Sequence, residues 1–222
     1  MNRLQCEGIV IYKEDYSEAD IRIVVLTNTN GLINFYIKGI RKTKKRDVAA
    51  VDILAYSKLN LIKKNDTYNI QDIELLKDFS NIKKDLDKLY LSIYLLDVIK
   101  KILVEEDCRE KEFLLLKNTL DYMENQDKKE GQLLVVAFFL FRIIKFEGVY
   151  FNNLNSFFQE KKESDFLEEK DILKKFIENK VKDIRIEELN EGVIFRLILL
   201  LEDYINNQLE INLNIREILI KY

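Results

Sequence analysis

The chain has 222 residues, of which 47% are hydrophobic and 34% charged, and its formal net charge is −3 at pH 7. This composition is ordinary for a folded globular protein and argues against extended disorder. No apolar run reaches the roughly 18 uncharged residues of a membrane span, and the opening MNRLQCEG lacks the apolar core of a signal peptide. We therefore expect a cytoplasmic protein that makes no contact with a membrane.

Several classes of catalytic site are excluded by composition. The chain contains no histidine and two cysteines, Cys6 and Cys108, so the usual zinc ligand sets and the Ser-His-Asp and Cys-His pairs cannot be assembled. In a reducing compartment we expect these cysteines to be separate thiols. Carboxylates remain available for acid/base chemistry, but no pair among the 39 acidic residues stands out. We expect no catalytic residue, no metal site and no cofactor.

The first third of the chain predicts short β-strands. The apolar run CEGIVIYK and the segment IRIVVL are separated by the polar turn EDYSEAD, and NTNG at residues 28–31 closes a hairpin onto the next strand. Five short strands fit a small closed barrel better than an open sheet, which would leave its edges unprotected. The predicted strands cover residues 6–13, 21–26, 33–38, 51–62 and 68–75.

Beyond Phe79 the apolar residues recur at spacings of three and four, which predicts α-helices. One long amphipathic helix is predicted over residues 82–103. Residues 132–146 are apolar almost all round, which predicts a helix buried at the centre of a helical domain. Further helices are predicted at 113–122, 166–176, 193–201 and 214–220, and a loop with anchoring aromatic residues at 148–158. Without a proline or glycine linker, the first helix is expected to dock tightly on the barrel.

The stretch from Gly31 to Arg46 combines a strand with a basic loop. Its apolar residues alternate with polar ones, so Ile33, Phe35 and Ile37 are expected to face the core while Tyr36 faces solvent. Six cations then occur within nine residues, with no acid before Asp47. They are Lys38, Arg41, Lys42, Lys44, Lys45 and Arg46.

This basic loop is the candidate DNA-binding site. Cations beside a barrel strand offer a surface to phosphates. Tyr36, with Tyr12 and Tyr16, is a candidate for stacking on bases if its ring is exposed, and otherwise these tyrosines only fill the core or surface of the barrel. Two simpler explanations stay open. The loop is merely solvated in a lysine-rich chain, or its charge is cancelled by the neighbouring acids Glu14, Asp15 and Glu18.

The stretch GIVIYKEDYSEADIRIVVLTNTNGLINFYIKGIRKTKKR resembles the opening of the bacterial recombination mediator family RecO. The resemblance rests on the acidic turn, Thr27 before the hairpin, the turn at Gly31, and the KG(x)R signature at Lys38, Gly39 and Arg41. The C-terminal segment LEDYINNQLEINLNIREIL also resembles the closing helices of that family. The middle of the chain matches only in pattern.

The resemblance implies an α+β protein in which an N-terminal five-stranded OB-fold barrel, residues 1–78, is followed by an all-α helical domain, residues 79–222. It further implies a non-catalytic, nucleoid-associated DNA repair protein that binds single- and double-stranded DNA and anneals complementary strands. Its expected partners are RecR, the C-terminal tail of single-stranded DNA-binding protein and, indirectly, the RecA recombinase.

The chain departs from the family in one respect. Many relatives carry a four-cysteine zinc module in the helical domain, and the corresponding residues 146–166 contain no cysteine. Either the module has degenerated without metal, or its loop is held by the aromatic residues Tyr150, Phe151, Phe157 and Phe158.

Two other function classes stay open at this point. One is a protein-interaction adaptor that has an OB barrel but for which DNA contact is incidental. The other is an enzyme that uses carboxylates, for which the sequence offers only isolated acids.

Overall fold

A computed structural model describes residues 2–18, 20–39, 48–64, 67–105, 107–151, 154–158 and 166–220. The N-terminal part forms one five-stranded antiparallel sheet, in the order β3-β2-β1-β4-β5. Its strands are β1 (Asn2–Asp15), β2 (Ile21–Thr27), β3 (Gly31–Ile37), β4 (Tyr56–Lys64) and β5 (Thr67–Lys77). All five predicted strands are present, although β4 begins later than predicted because residues 49–51 form a short 3-10 helix.

Strand β1 organises the sheet because it serves two neighbours. Residues 8–15 pair with β2, residues 2–9 pair with β4, and the register shifts between Val10 and Tyr12. Such a bulge bends a strand and increases its twist, so one long strand can take part in both halves of a curled sheet. This connectivity agrees with the predicted OB fold.

The prediction of a closed barrel is wrong: the sheet is not closed. Residues of β3 and β5 approach within 8 Å between Cα atoms, but no ladder joins these strands within the described part of the chain. The edge of β3 instead forms a parallel bridge from Leu32 to Glu105, in the connection that follows the second helix. The OB fold is a partly open barrel, and here a segment from outside the sheet covers part of the open edge.

The two faces of the sheet have different surroundings. Ile33, Phe35 and Ile37 are buried, as the alternation predicts, and they pack inside the curled sheet with residues of the other strands. On the outer face, Ile9 and Leu26 belong to one hydrophobic cluster with the helices. The expected docking of the helices on the sheet is therefore confirmed, whereas a domain boundary at residue 78 stays a prediction.

The rest of the chain is helical. The helices are α1 (Ser80–Lys84), α2 (Leu86–Ile102), α3 (Glu110–Asn125), α4 (Lys129–Phe146), α5 (Leu154–Phe158), α6 (Leu167–Ile177), α7 (Glu191–Leu209) and α8 (Ile215–Ile220). Helix α4 packs against α3 and α7 with most of its surface buried, as predicted. None of the described helices is long and apolar enough to cross a membrane.

Two predicted elements differ from the structure. The predicted helix over 82–103 is broken at Asp85, whose backbone is extended and whose carboxylate accepts a hydrogen bond from the Lys88 amide at 3.1 Å. Asp85 thus caps α2, a position that aspartate strongly favours. The predicted loop at 148–158 contains the short helix α5.

A buried polar contact ties together the helices α2, α7 and α8. The Tyr94 hydroxyl donates to the Glu202 carboxylate at 2.7 Å, and the Ile215 amide donates to the same oxygen at 2.8 Å. Tyr94 is fully buried and Glu202 is 5% exposed. Burial raises the pKa of the Glu202 carboxyl above its ordinary value.

Candidate nucleic-acid interface

The outward face of β3 carries the described part of the predicted site. Tyr36 is 60% exposed, and Lys38, just beyond the end of the strand, is also exposed. The remaining predicted contact residues lie outside the described residues: Arg41, Lys42, Lys44, Lys45 and Arg46. The surface considered below therefore consists of Tyr36, Lys38 and the turn that contacts them.

The end of β3 is held to the turn between β1 and β2. Gly39 has φ +66°, and its backbone N–H donates to the Asp20 carboxylate at 2.8 Å. No atom lies within 4 Å of the position that a Cβ would occupy at Gly39, so the conformation alone requires glycine here. The chain thus enters the basic segment from a fixed point beside the acidic turn, and the sequence did not reveal this role of Asp20.

That turn places a second tyrosine next to Tyr36. The Tyr16 ring is 68% exposed, and its centroid lies 5.3 Å from that of Tyr36 at an interplanar angle of 74°. This is an edge-to-face pair of the kind that aromatic side chains prefer. Two tyrosines predicted separately as stacking candidates are therefore brought together.

The Glu14 carboxylate, on β1, is already paired. Arg22, which lies opposite Tyr36 in the β2–β3 ladder, contacts the Glu14 carboxylate at 3.0 Å and the Asn34 side chain at 3.1 Å. The hydrogen bond from the Tyr12 hydroxyl to Glu14, at 2.6 Å, and the contact with Arg22 hold the pKa of Glu14 below its ordinary value. Glu14 is therefore an ionised partner of Arg22, whereas Asp15 and Glu18 are exposed.

Tyr12 is not an exposed stacking residue, which corrects one expectation. The Nζ atom of Lys100, in α2, lies 3.6 Å from the centroid of the Tyr12 ring, and the Tyr12 hydroxyl is bonded to Glu14. The ring face is covered by a cation–π contact. Lys100 lies far away in the sequence, so no local pattern could have identified it.

The connection between α2 and α3 supports the other end of β3. Gly31 has φ +65°, and a Cβ added there would lie 2.0 Å from the carbonyl oxygen of Asp107. The Asn34 side chain donates to the Glu105 carboxylate. Gly31 therefore serves both the turn geometry, as expected, and a close backbone approach.

A separate groove of about 810 Å³ lies between α3, α4 and residues 181–186. Apolar residues that line it include Leu115 and Phe138. The cationic residues that line it are Lys111, Arg142 and Lys182. The Arg142 guanidinium lies 4.9 Å from the Phe146 ring centroid. Within the described residues its Nε atom is buried and has no acceptor. The groove therefore combines an apolar lining with nearby cations.

The described part of the segment that corresponds to the zinc module brings no set of metal ligands together. No group of three or more His, Cys, Asp or Glu side chains in the described part of the chain is arranged to hold an ion. Aromatic rings pack together there instead, with Phe151 at 4.7 Å from Phe157 and 5.7 Å from Tyr204 between centroids. Phe158 is also buried. The described part of this segment is thus held by packing.

Comparison with known proteins covers most of the chain. The family model described as recombination protein O, N terminal, matches residues 1–79, and the model described as recombination protein O, C terminal, matches residues 83–166. Proteins named DNA repair protein RecO are similar: that of Acetivibrio thermocellus is 28% identical over 148 residues, and that of Alkaliphilus metalliredigens 30% over 146. These alignments cover 67% and 66% of this chain and 58% of each relative. The chain thus spans less than two thirds of the relatives that it matches.

Proposed function

Because the chain belongs to the RecO family of DNA repair proteins, we propose that it binds single- and double-stranded DNA and anneals complementary strands. It does so without catalytic chemistry of its own. Its place is then in the cytoplasm, at the nucleoid. The observation that carries this proposal is the exposed surface at the end of β3, where Tyr36 and Lys38 lead directly into the cationic run of residues 41–46.

The position of this surface supports a nucleic-acid ligand. OB folds bind oligonucleotides on the face of their second and third strands and on the loop between the first and second strands. Tyr36 lies on β3, and Tyr16 lies in the loop between β1 and β2. Two acids beside this surface already have partners: Glu14 is paired with Arg22, and the Asp20 carboxylate accepts a hydrogen bond from the Gly39 amide.

Charge alone suffices for annealing. Cations that neutralise phosphates release counterions, and two strands gathered on one positive surface repel each other less. The basic residues proposed to act in this way are Lys38, Arg41, Lys42, Lys44, Lys45 and Arg46. No nucleophile or general base is required for this step.

The test replaces Arg41, Lys42, Lys44 and Lys45 together by alanine. Single-strand affinity should fall, and the slope of log K against log salt should shrink by up to about 2.8 if all four contact phosphates. Annealing of labelled complementary oligonucleotides should slow as well. A matched control removes four cations from exposed positions of the helical part: Lys84, Lys174, Lys180 and Arg216. Equal losses in both variants, or none in either, would refute this location of the site.

We also propose that the groove between α3 and α4 receives the C-terminal tail of single-stranded DNA-binding protein. Any C-terminal tail ends in a carboxylate, which can pair with the Arg142 guanidinium that lines the groove, while an apolar side chain packs against Leu115 and Phe138. A labelled tail peptide should bind the protein, and Arg142→Ala should weaken it at least tenfold. An amidated peptide of the same sequence is the matched control. If neither Arg142→Ala nor amidation of the peptide weakens binding, this groove is not the binding site of the tail.

The same groove favours one second candidate function, that of a protein-interaction adaptor. Under this alternative the protein captures its partners but gives no DNA shift at physiological salt. We propose that RecR is a further partner and that RecA is loaded indirectly. A pull-down with purified RecR, combined with a salt-titrated DNA-binding curve, distinguishes the adaptor from the mediator.

A further inference from the structure

We propose that Tyr16 and Tyr36 form a stacking site for one unpaired nucleobase, and that this site gives the protein its preference for single strands over duplex. The proposal rests on the proposed function, because it assigns a selectivity to the same DNA surface. The chemistry it requires is a flat aromatic base with at least one free face. The cations of the basic loop bind phosphate and cannot make this distinction.

The two rings form a corner that is open to solvent. They meet at 74°, with centroids 5.3 Å apart, and both are more than half exposed. A flat base can therefore lie on the free face of one ring while its edge meets the other ring. A buried aromatic pair that served only the core would be covered, as Phe35 on the same strand is, at 1% exposure.

The backbone holds the corner in place before any ligand arrives. The Tyr16 amide donates to the Asp20 carbonyl oxygen at 3.0 Å, which folds the turn back on itself. The Asp20 carboxylate in turn accepts from the Gly39 amide at 2.8 Å. The turn with Tyr16 and the end of β3 with Tyr36 are thereby tied together. Because the turn and the strand end are already ordered, binding loses less conformational entropy, and more of the stacking energy contributes to affinity.

Stacking distinguishes the two forms of DNA because a duplex hides the faces of its bases. In B-form DNA each base is stacked between neighbours, and only an unpaired base can turn a face toward a protein side chain. Phosphates are present in both forms, so cations such as Lys38 contribute to both. Within the described part of the surface, the tyrosine corner is therefore the feature that can distinguish single-stranded from duplex DNA.

The first test replaces Tyr16 and Tyr36 by alanine, singly and together. Each loss should weaken binding to a single-stranded oligonucleotide by about 5- to 150-fold, the range that alanine substitution at stacking residues gives. Affinity for the duplex of the same sequence should change by less than about twofold, because phosphate contacts remain. Phenylalanine at both positions should recover most of the single-strand affinity. Tyr122→Ala, which removes a tyrosine that is 40% exposed on α3, is the matched control.

A second test changes the ligand instead of the protein. An abasic single-stranded oligonucleotide of the same length keeps every phosphate but offers no base. The wild-type protein should bind it about as weakly as the double alanine variant binds the normal oligonucleotide. The double variant should not distinguish the two ligands. A wild-type protein that binds abasic and normal strands equally well would overturn the stacking site.

The absence of tryptophan from the chain allows a direct spectroscopic test. Tyr36→Trp installs a single indole in the corner, and a base stacked on it should quench its fluorescence. Single-stranded DNA should quench it at saturation, whereas duplex and abasic DNA should not. Tyr122→Trp reports from α3 and should remain unquenched. Unchanged Tyr36→Trp emission with saturating single strands would refute the proposal.

Failure of this inference can be told apart from failure of the proposed function. If the tyrosine variants bind both DNA forms like wild type, while the variant without the basic cluster loses both, the protein binds DNA but the corner takes no part. If the wild-type protein binds neither DNA form at physiological salt, the DNA-binding function itself is wrong, and the corner is wrong with it.

Discussion

Gly31 offers a sharp test of how the sheet is held to the helical part. It lies at the start of β3 with φ +65°, directly against the backbone of the connection between α2 and α3. We expect Gly31→Ala to destabilise the protein much more than the same change at a glycine with equal φ but free surroundings. Gly148 supplies that control, since its φ is +72° and no atom lies within 4 Å of its Cβ position.

The magnitude follows from two contributions. A non-glycine residue at positive φ costs about 1 to 2 kcal/mol, and this applies to both glycines. At Gly31 the added methyl group would also lie 2.0 Å from the Asp107 carbonyl oxygen, so that backbone must move, and forcing packed groups apart costs about 1 to 3 kcal/mol more. Gly31→Ala should therefore lower the free energy of unfolding by about 2 to 5 kcal/mol, against about 1 to 2 for Gly148→Ala.

Urea denaturation followed by circular dichroism measures both values. The denaturation midpoint of Gly31→Ala should lie clearly below that of Gly148→Ala, with similar slopes if unfolding stays two-state. Equal destabilisation of the two variants would refute the reasoning. It would mean that the connection at Asp107 does not press on the turn at Gly31.

Three further predictions concern cysteine reactivity, pH and ion pairing. Burial raises the pKa of the Cys6 thiol to about 11, so mass spectrometry after thiol alkylation of the folded protein should show modification at exposed Cys108 and not at Cys6; two modified thiols would contradict this. The raised pKa of Glu202 means that the folded state holds its proton more tightly than the unfolded chain, so wild-type stability relative to Glu202→Gln should fall as pH rises from the ordinary pKa of a glutamate through the raised pKa of Glu202; a pH-independent difference in urea midpoints would exclude this. Arg109→Ala leaves the Glu112 carboxylate, which is 4% exposed and 3.4 Å from the guanidinium, without that cation. The unfolding free energy should fall by about 1 to 3 kcal/mol, and adding Glu112→Gln should recover part of it.

Local pattern predicted the strand that carries the site. The alternation of Ile33, Phe35 and Ile37 with polar residues predicted which face of β3 is buried, and the structure confirms it. The prediction works because successive side chains of a strand point to opposite faces of the sheet. Gly31 and Gly39 stand at the two ends of this strand, and both have the positive φ that glycine accommodates. These features depend on a few neighbouring residues and can therefore be predicted from the sequence.

What sequence did not reveal depends on partners that are distant along the chain. Lys100 covers Tyr12 from a helix, and Glu105 pairs with the edge of β3 from a connection between helices. The break at Asp85 was missed for a different reason. Hydrophobic spacing continues across it, and only the capping preference of aspartate marks it.

The segment after α4 contains no cysteine, and its described residues pack against the neighbouring helices. Structural zinc contributes about 10 to 16 kcal/mol of apparent binding free energy in small zinc-dependent domains, whereas a buried phenylalanine contributes about 1.5 to 3 kcal/mol. Phe151 and Phe158 together cannot reach the zinc value, so this loop cannot order itself as an independent module. It is held because neighbouring helices already exist: Phe151 packs on Phe141 of α4, and the Tyr204 hydroxyl of α7 donates to the Val149 carbonyl oxygen at 2.8 Å. The described residues of this loop are therefore positioned by contacts with the bundle.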